Sequence, residues 1–201
     1  MMTSLPNLLT LSRIVVIPLV IATFYVDGGS ARWVACGLFV AAAVTDYFDG
    51  YFARTRNQVS ALGRFLDPIA DKLLVAGVLF MLVAFDRVSA ISVLPALIIL
   101  LREILVSGLR EFLAEVRIGM PVSRLAKWKT GIQMVALPVL LVGDYGPDIL
   151  PVRLIGEALL WLAALLTLVT GWDYLQSGLK HMRAPVANPV DKAGAEPHHV
   201  G

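Results

Sequence analysis

Gly37-Leu38-Phe39-Val40-Ala41-Ala42-Ala43-Val44-Thr45-Asp46-Tyr47-Phe48-Asp49-Gly50-Tyr51-Phe52-Ala53-Arg54 begins as hydrocarbon and ends in acid. The apolar segment it belongs to, residues 32–53, is close to the ~20 residues that cross a bilayer. Lipid offers backbone amides and carbonyls no partner, so a segment this apolar is expected to be a helix. Two carboxylates at one end of such a helix need a reason to be there.

Working outward, five further apolar segments read the same way: residues 8–26, 68–85, 90–114, 130–142 and 150–175. The fifth is short unless it borrows residues on either side. Of the 201 residues 58% are hydrophobic and 16% charged, against about 25% charged in a soluble domain; mean hydropathy is +0.77. A soluble globule of this size has too little interior for so much hydrocarbon. The expected fold is an all-α integral membrane protein, six transmembrane helices in one bundle with a polar cavity facing the cytoplasm. Residues 1–179 form the membrane domain. Residues 180–201, with Pro185, Pro189 and Pro197 among scattered charge, are expected to be a disordered cytoplasmic tail. The first segment lacks a basic flank and a small-residue cleavage site, so it reads as a span and not a signal peptide. One cysteine, Cys36, excludes an internal disulfide framework, and a net charge of +2 argues against a nucleic-acid partner.

Basic residues set the orientation. With the N-terminus inside, Arg13, Arg54, Arg56, Arg64, Lys72, Arg117, Arg124, Lys127, Lys129, Lys180, Arg183 and Lys192 fall on the inner side. Only Arg32, Arg87 and Arg153 fall outside, while Arg102 and Arg110 lie within the fourth segment. This positive-inside bias puts both termini in the cytoplasm. The aromatics Trp33, Trp128, Trp161, Trp172, Tyr25 and Tyr174 mostly sit near segment ends, as an interfacial belt would.

Asp46 and Asp49 are three apart at the inner end of the second helix, and Asp67 and Asp71 four apart at the start of the third. Both spacings put a pair on one helical face, and the short connection makes the helices antiparallel neighbours. An ionised Asp in the bilayer centre costs about 2.5–3.5 kcal/mol, less near the interface. Four together also repel one another. Two divalent cations would cancel the charge, and oxygen-only ligation suits Mg²⁺, Mn²⁺ or Ca²⁺ rather than a soft metal. Simpler roles exist: Asp67 as an N-cap before Pro68, or Asp46 and Asp49 in ion pairs with Arg54 and Arg56.

The spacing D-x-x-D-G-x-x-A-R, eight residues, G-x-x-x-D-x-x-x-D runs without a departure from Asp46 to Asp71. It resembles the signature of the CDP-alcohol phosphatidyltransferases, six-helix membrane enzymes that displace CMP from a CDP-linked lipid with an alcohol. The resemblance implies that Asp46, Asp49, Asp67 and Asp71 hold two divalent cations, Mg²⁺ or Mn²⁺, with Asp71 also the general base. It implies that Gly50, Ala53, Arg54 and Gly63 line the site for the nucleotide of CDP-diacylglycerol. Pro6-Asn7-Leu8-Leu9-Thr10-Leu11-Ser12-Arg13 looks like the family's N-terminal element, which would bring Asn7 and Thr10 to the same nucleotide. In the alternative, Asn7 caps the helix and Arg13 snorkels to headgroups. The family further implies a bacterial-type inner membrane and allows a homodimer, which the helix faces alone do not demonstrate.

Arg102-Glu103, Ser107 and Arg110-Glu111, followed by Lys127-Trp128-Lys129-Thr130 and Gln133-Met134, resemble the branch whose acceptor is sn-glycerol 3-phosphate. An acceptor that carries phosphate needs cations beside the metals. Arg110, Lys127 and Lys129 are the candidates for that pocket. Their plainer roles are an ion pair of Arg110 with Glu103 or Glu111, and lysines meeting anionic headgroups; Arg102 reads as structural. The rival readings are another acceptor, inositol phosphate or phosphatidylglycerol, and a cation- or proton-coupled transporter. Against the transporter, the acids sit at helix ends and not at the midplane, and no paired broken helices are evident.

Overall fold

The computed structural model describes the backbone of residues 5–56, 61–115 and 123–183; side chains of residues 5–10, 47–56, 61–65, 177 and 180–183 lie outside the described set. Among the described residues there are six α-helices and no strand: α1 (Leu5–Thr23), α2 (Gly29–Arg56), α3 (Ala61–Ala84), α4 (Val93–Glu115), α5 (Arg124–Val142) and α6 (Val152–Arg183). Three stretches, Ala90–Glu115, Arg124–Tyr145 and Val152–Gln176, are long and apolar enough to cross a membrane, and Leu11–Thr23 is a shorter apolar helix. The protein is an all-α membrane protein.

Several boundaries differ from expectation. α3 starts at Ala61, so Pro68 lies inside the helix and Asp67 is not its N-cap. A proline there removes the bond to the carbonyl one turn earlier; separately, Lys72 Nζ donates to the Pro68 carbonyl at 2.9 Å. α1 begins at Leu5, which puts Asn7 within the first turn and not at the cap. α5 gains a turn and a half before residue 130, because Ser123 caps it by accepting from the Ala126 amide at 3.2 Å. α6 runs to Arg183, so residues 180–183 are helical; residues 184–201 lie outside the described residues.

α6 packs along α4 and α5, α1 along α2 and α3, and α2 against α5 joins the two groups. Phe39, Val78, Leu82, Ile99, Leu137, Leu140 and Leu160 bring five helices into one buried core. Close approach depends on glycine: a Cβ on Gly156 would stand 2.8 Å from Leu140, and one on Gly178 2.8 Å from Leu109. This is the small-residue packing expected where lipid supplies no hydrophobic drive between helices.

A polar clamp closes the end opposite Asp71. Glu157 on α6 accepts from the Ser89 amide (2.9 Å), Ser89 Oγ (2.5 Å), Ser92 Oγ (2.7 Å) and Arg153 Nε (3.3 Å). These bonds fasten the α3–α4 turn to α6. Bonds to a charged acceptor contribute about 1.5–3 kcal/mol each at most, and they share one carboxylate, so Glu157→Ala is expected to cost about 2–4 kcal/mol. A thermal unfolding midpoint in detergent that stays at the parent value would contradict this.

Candidate active site

On α4 the residues Glu103, Ser107, Arg110 and Glu111 lie at three- and four-residue steps, which makes one polar stripe on a largely apolar helix. The stripe faces a cavity of about 420 Å³ between α3, α4, α5 and α6. Asp71 and Lys72 enter it from α3, Lys129 and Thr130 from α5, and Tyr174 from α6. Asp71, Arg110 and Lys129 are far apart in the chain, and the fold puts all three around this one cavity. Lys127, by contrast, is exposed and is not among the lining residues.

Lys129 is 3% exposed and forms an ion pair with Glu103. Glu103 also lies 3.7 Å from Arg102 Nη1. Arg102 is braced further by donation to Thr170 Oγ1 at 3.2 Å and by the Tyr174 ring, whose centroid is 5.5 Å from its guanidinium carbon. Tyr174 is buried in this contact and so does not belong to the interfacial belt. Arg110 forms no ion pair with Glu103 or Glu111 among the described residues; it stands exposed at the cavity edge. Lys72, Thr130 and Tyr174 are lining residues that sequence reasoning did not single out. For Tyr174 the only signal was its i+4 spacing from Thr170, a buried polar residue on the same α6 face.

The alternative that puts Arg13 at the headgroups does not hold. Arg13 is 1% exposed, and its Nη1 lies 2.5 Å from Asp46 Oδ1. Arg13 reaches Asp46 because α1 packs directly on α2 and α3; the side chains of Arg54 and Arg56, the other cations weighed for this place, lie outside the described residues. Asp71 lies within the field of Asp46, Lys72, Arg13 and Lys129. So α2 and α3 do bring two of the four aspartates into one electrostatic neighbourhood, and Asp67 sits one turn before Asp71 on its helix. The side chains of Asp49, Gly50, Ala53, Arg54, Gly63, Asn7 and Thr10 lie outside the described residues, although each backbone is helical.

Among the described residues no group of three or more His, Cys, Asp or Glu could by itself hold a metal. The donor chemistry nonetheless fits hard cations: Asp46, Asp67 and Asp71 offer oxygen only. A buried guanidinium, that of Arg13, rests on one of these carboxylates, Asp46.

A membrane helix bundle that carries the D-x-x-D…D-x-x-x-D array and sets one of its acids, Asp71, in a polar cavity with cationic side chains has the features of a group-transfer enzyme acting at the membrane. The profile of the CDP-alcohol phosphatidyltransferases matches residues 3–169, and the chain belongs to that family. Members of the family depend in general on divalent cations. A protein of Rickettsia felis named CDP-diacylglycerol–glycerol-3-phosphate 3-phosphatidyltransferase is 51% identical over 178 residues, covering 89% of this chain and 97% of its own. Proteins with the same name in Salmonella choleraesuis (44% identical; 86% of this chain, 92% of its own) and Cereibacter sphaeroides (38%; 90% and 97%) align over nearly the same extent.

Proposed function

We propose that the protein transfers the phosphatidyl group of CDP-diacylglycerol to sn-glycerol 3-phosphate, releasing CMP and phosphatidylglycerophosphate. The observation that carries the reading is the shared cavity: a carboxylate, Asp71, faces Arg110 and Lys129 across one polar space. The names of relatives that align over most of both chains point the same way.

In this reading Asp46, Asp49, Asp67 and Asp71 would hold two divalent ions, Mg²⁺ or Mn²⁺. Bound there, such ions would neutralise phosphoryl oxygens and the departing CMP. The remaining work belongs to the chain. Asp71 accepts the proton from the 1-hydroxyl of glycerol 3-phosphate as that oxygen attacks the phosphorus next to diacylglycerol. Arg110 and Lys129 hold the acceptor's phosphate, with Lys127 at the approach, and Glu103 fixes the ammonium of Lys129. Asn7, Thr10, Gly50, Ala53, Arg54 and Gly63 receive the cytidine nucleotide. Arg13 holds Asp46 in place. The protein is multi-pass in a bacterial-type inner membrane, with both termini and the cavity on the cytoplasmic side, and works as a homodimer or alone.

The test is incorporation of radiolabelled glycerol 3-phosphate into lipid by purified protein, with and without CDP-diacylglycerol and Mg²⁺ or Mn²⁺. Incorporation of inositol phosphate or phosphatidylglycerol in its place would favour another acceptor, and ion uptake into vesicles without CMP release would favour a transporter. Arg110→Ala is expected to raise KM for glycerol 3-phosphate about tenfold, the worth of one charge-assisted hydrogen bond. An unchanged KM would remove Arg110 from the phosphate pocket.

A further inference from the structure

Three hydroxyl side chains line the polar cavity, Ser107, Thr130 and Tyr174, and none of them has a part in the transfer steps above. Three threonines show the usual fate of a hydroxyl within a helix. Thr45, Thr130 and Thr170 each return theirs to the carbonyl one turn earlier, to Ala41 at 2.7 Å, Ala126 at 3.1 Å and Leu166 at 2.8 Å. Ser107 does not. It is half-buried on α4, lines the cavity, and makes no hydrogen bond among the described residues.

Its position gives that free hydroxyl a use. Ser107 lies one turn after Glu103, which pairs with the Lys129 ammonium, and one turn before Arg110. At 1.5 Å per residue those steps are about 6 Å and about 4.5 Å along the axis. An acceptor whose phosphate is held by Lys129 and Arg110, and whose reacting hydroxyl meets Asp71 on α3, runs past α4 at the level of Ser107. In glycerol 3-phosphate the carbon between those two ends carries a secondary hydroxyl. The cations around the cavity can only donate to it and the carboxylates only accept from it, whereas a serine hydroxyl does either. Thr130 has committed its proton to Ala126, and Tyr174 is buried against the Arg102 guanidinium.

We propose that Ser107 determines specificity for the glycerol part of the acceptor: its hydroxyl pairs with the 2-hydroxyl of glycerol 3-phosphate. The proposal rests on the phosphatidyl transfer described above and deepens it. Arg110 and Lys129 hold any phosphate monoester of the right length, and Ser107 reads the carbon skeleton attached to it.

The test uses the purified full-length protein in nanodiscs with CDP-dioleoylglycerol as donor. It compares KM for glycerol 3-phosphate with Ki for 3-hydroxypropyl phosphate, the same molecule without its 2-hydroxyl, added as a competitor. Ser107→Ala is expected to raise KM about fivefold, the effect of losing one neutral hydrogen bond, and to leave Ki where it was. An equal rise in both would mean that Ser107 serves the phosphate or the fold, and an unchanged KM would mean that it serves neither; each result overturns the proposal. sn-Glycerol 1-phosphate gives a second readout. Its phosphate and primary hydroxyl can take the same places, but its 2-hydroxyl then points to the other side, so its Ki is also expected to stay unchanged in Ser107→Ala. A rise matching that for glycerol 3-phosphate would overturn the pairing. Product from the unmodified protein, with Ser107→Ala indistinguishable from it, defeats this assignment alone. Absence of product from the unmodified protein defeats the transfer reading, and the role of Ser107 with it.

Discussion

Asp71→Asn is expected to lower kcat by about 10³-fold while leaving the protein folded, which falls within the 10²–10⁴-fold that a positioned general base contributes. The hydroxyl of glycerol 3-phosphate is almost fully protonated at neutral pH, so its attack on phosphorus needs a proton acceptor within hydrogen-bond reach. Of the aspartates whose side chains are described, Asp71 lines the cavity that also holds Arg110 and Lys129. Asp46 is engaged by Arg13 at 2.5 Å. Asparagine keeps the size and one oxygen of the carboxylate and removes its basicity. Release of CMP by the purified variant, with helicity and monodispersity as controls, reads the effect. A rate within about threefold of the parent would remove Asp71 as the base. Mn²⁺ affinity measured by calorimetry in the absence of substrate separates a lost base from a lost ligand, since only the second weakens binding of the ion alone.

Much of this site could be read before any coordinates, for a physical reason. Ionisable groups are costly among lipid tails, so every acid or base in an apolar segment carries information that a soluble surface would dilute. The helical steps from Glu103 through Ser107 to Arg110 set their face directly, and the cavity wall agrees; Asp71 lines that wall, whereas Asp67, one turn earlier, does not. What escaped depends on contacts between distant helices. Arg13 sits near the start of an apolar run, where a long stem normally lets the charge reach water; it is buried because α1 lies against α2. Tyr174 looked like a belt aromatic, yet Arg102 arrives from α4 to stack on it. Asp67-Pro68 carried the local mark of a helix start, yet α3 begins six residues earlier, at Ala61. Local rules placed the helix faces; neighbours chosen by the fold decided which polar groups were already spoken for.

Lys129→Met is expected to raise KM for glycerol 3-phosphate by about 10- to 100-fold, the range for losing one or two bonds from a charged donor. Lys129 is almost wholly buried and bonded to Glu103, which invites the view that it is only a structural ion pair. An ammonium has three donors. One directed at Glu103 leaves others for an arriving phosphate, and Glu103 then serves to keep the long side chain aimed into the cavity. The two views diverge in a double variant. Lys129→Met alone strands Glu103 with Arg102 as its remaining counter-charge, 3.7 Å away, and a half-buried carboxylate deprived of its close partner is destabilising. Adding Glu103→Gln removes that burden and is expected to return about 1–3 kcal/mol of stability. It is not expected to restore KM, because the phosphate still lacks its cation. Initial rates across a range of glycerol 3-phosphate, with unfolding midpoints for both variants, decide the matter: recovery of KM together with stability would show that Lys129 acts only as a strut.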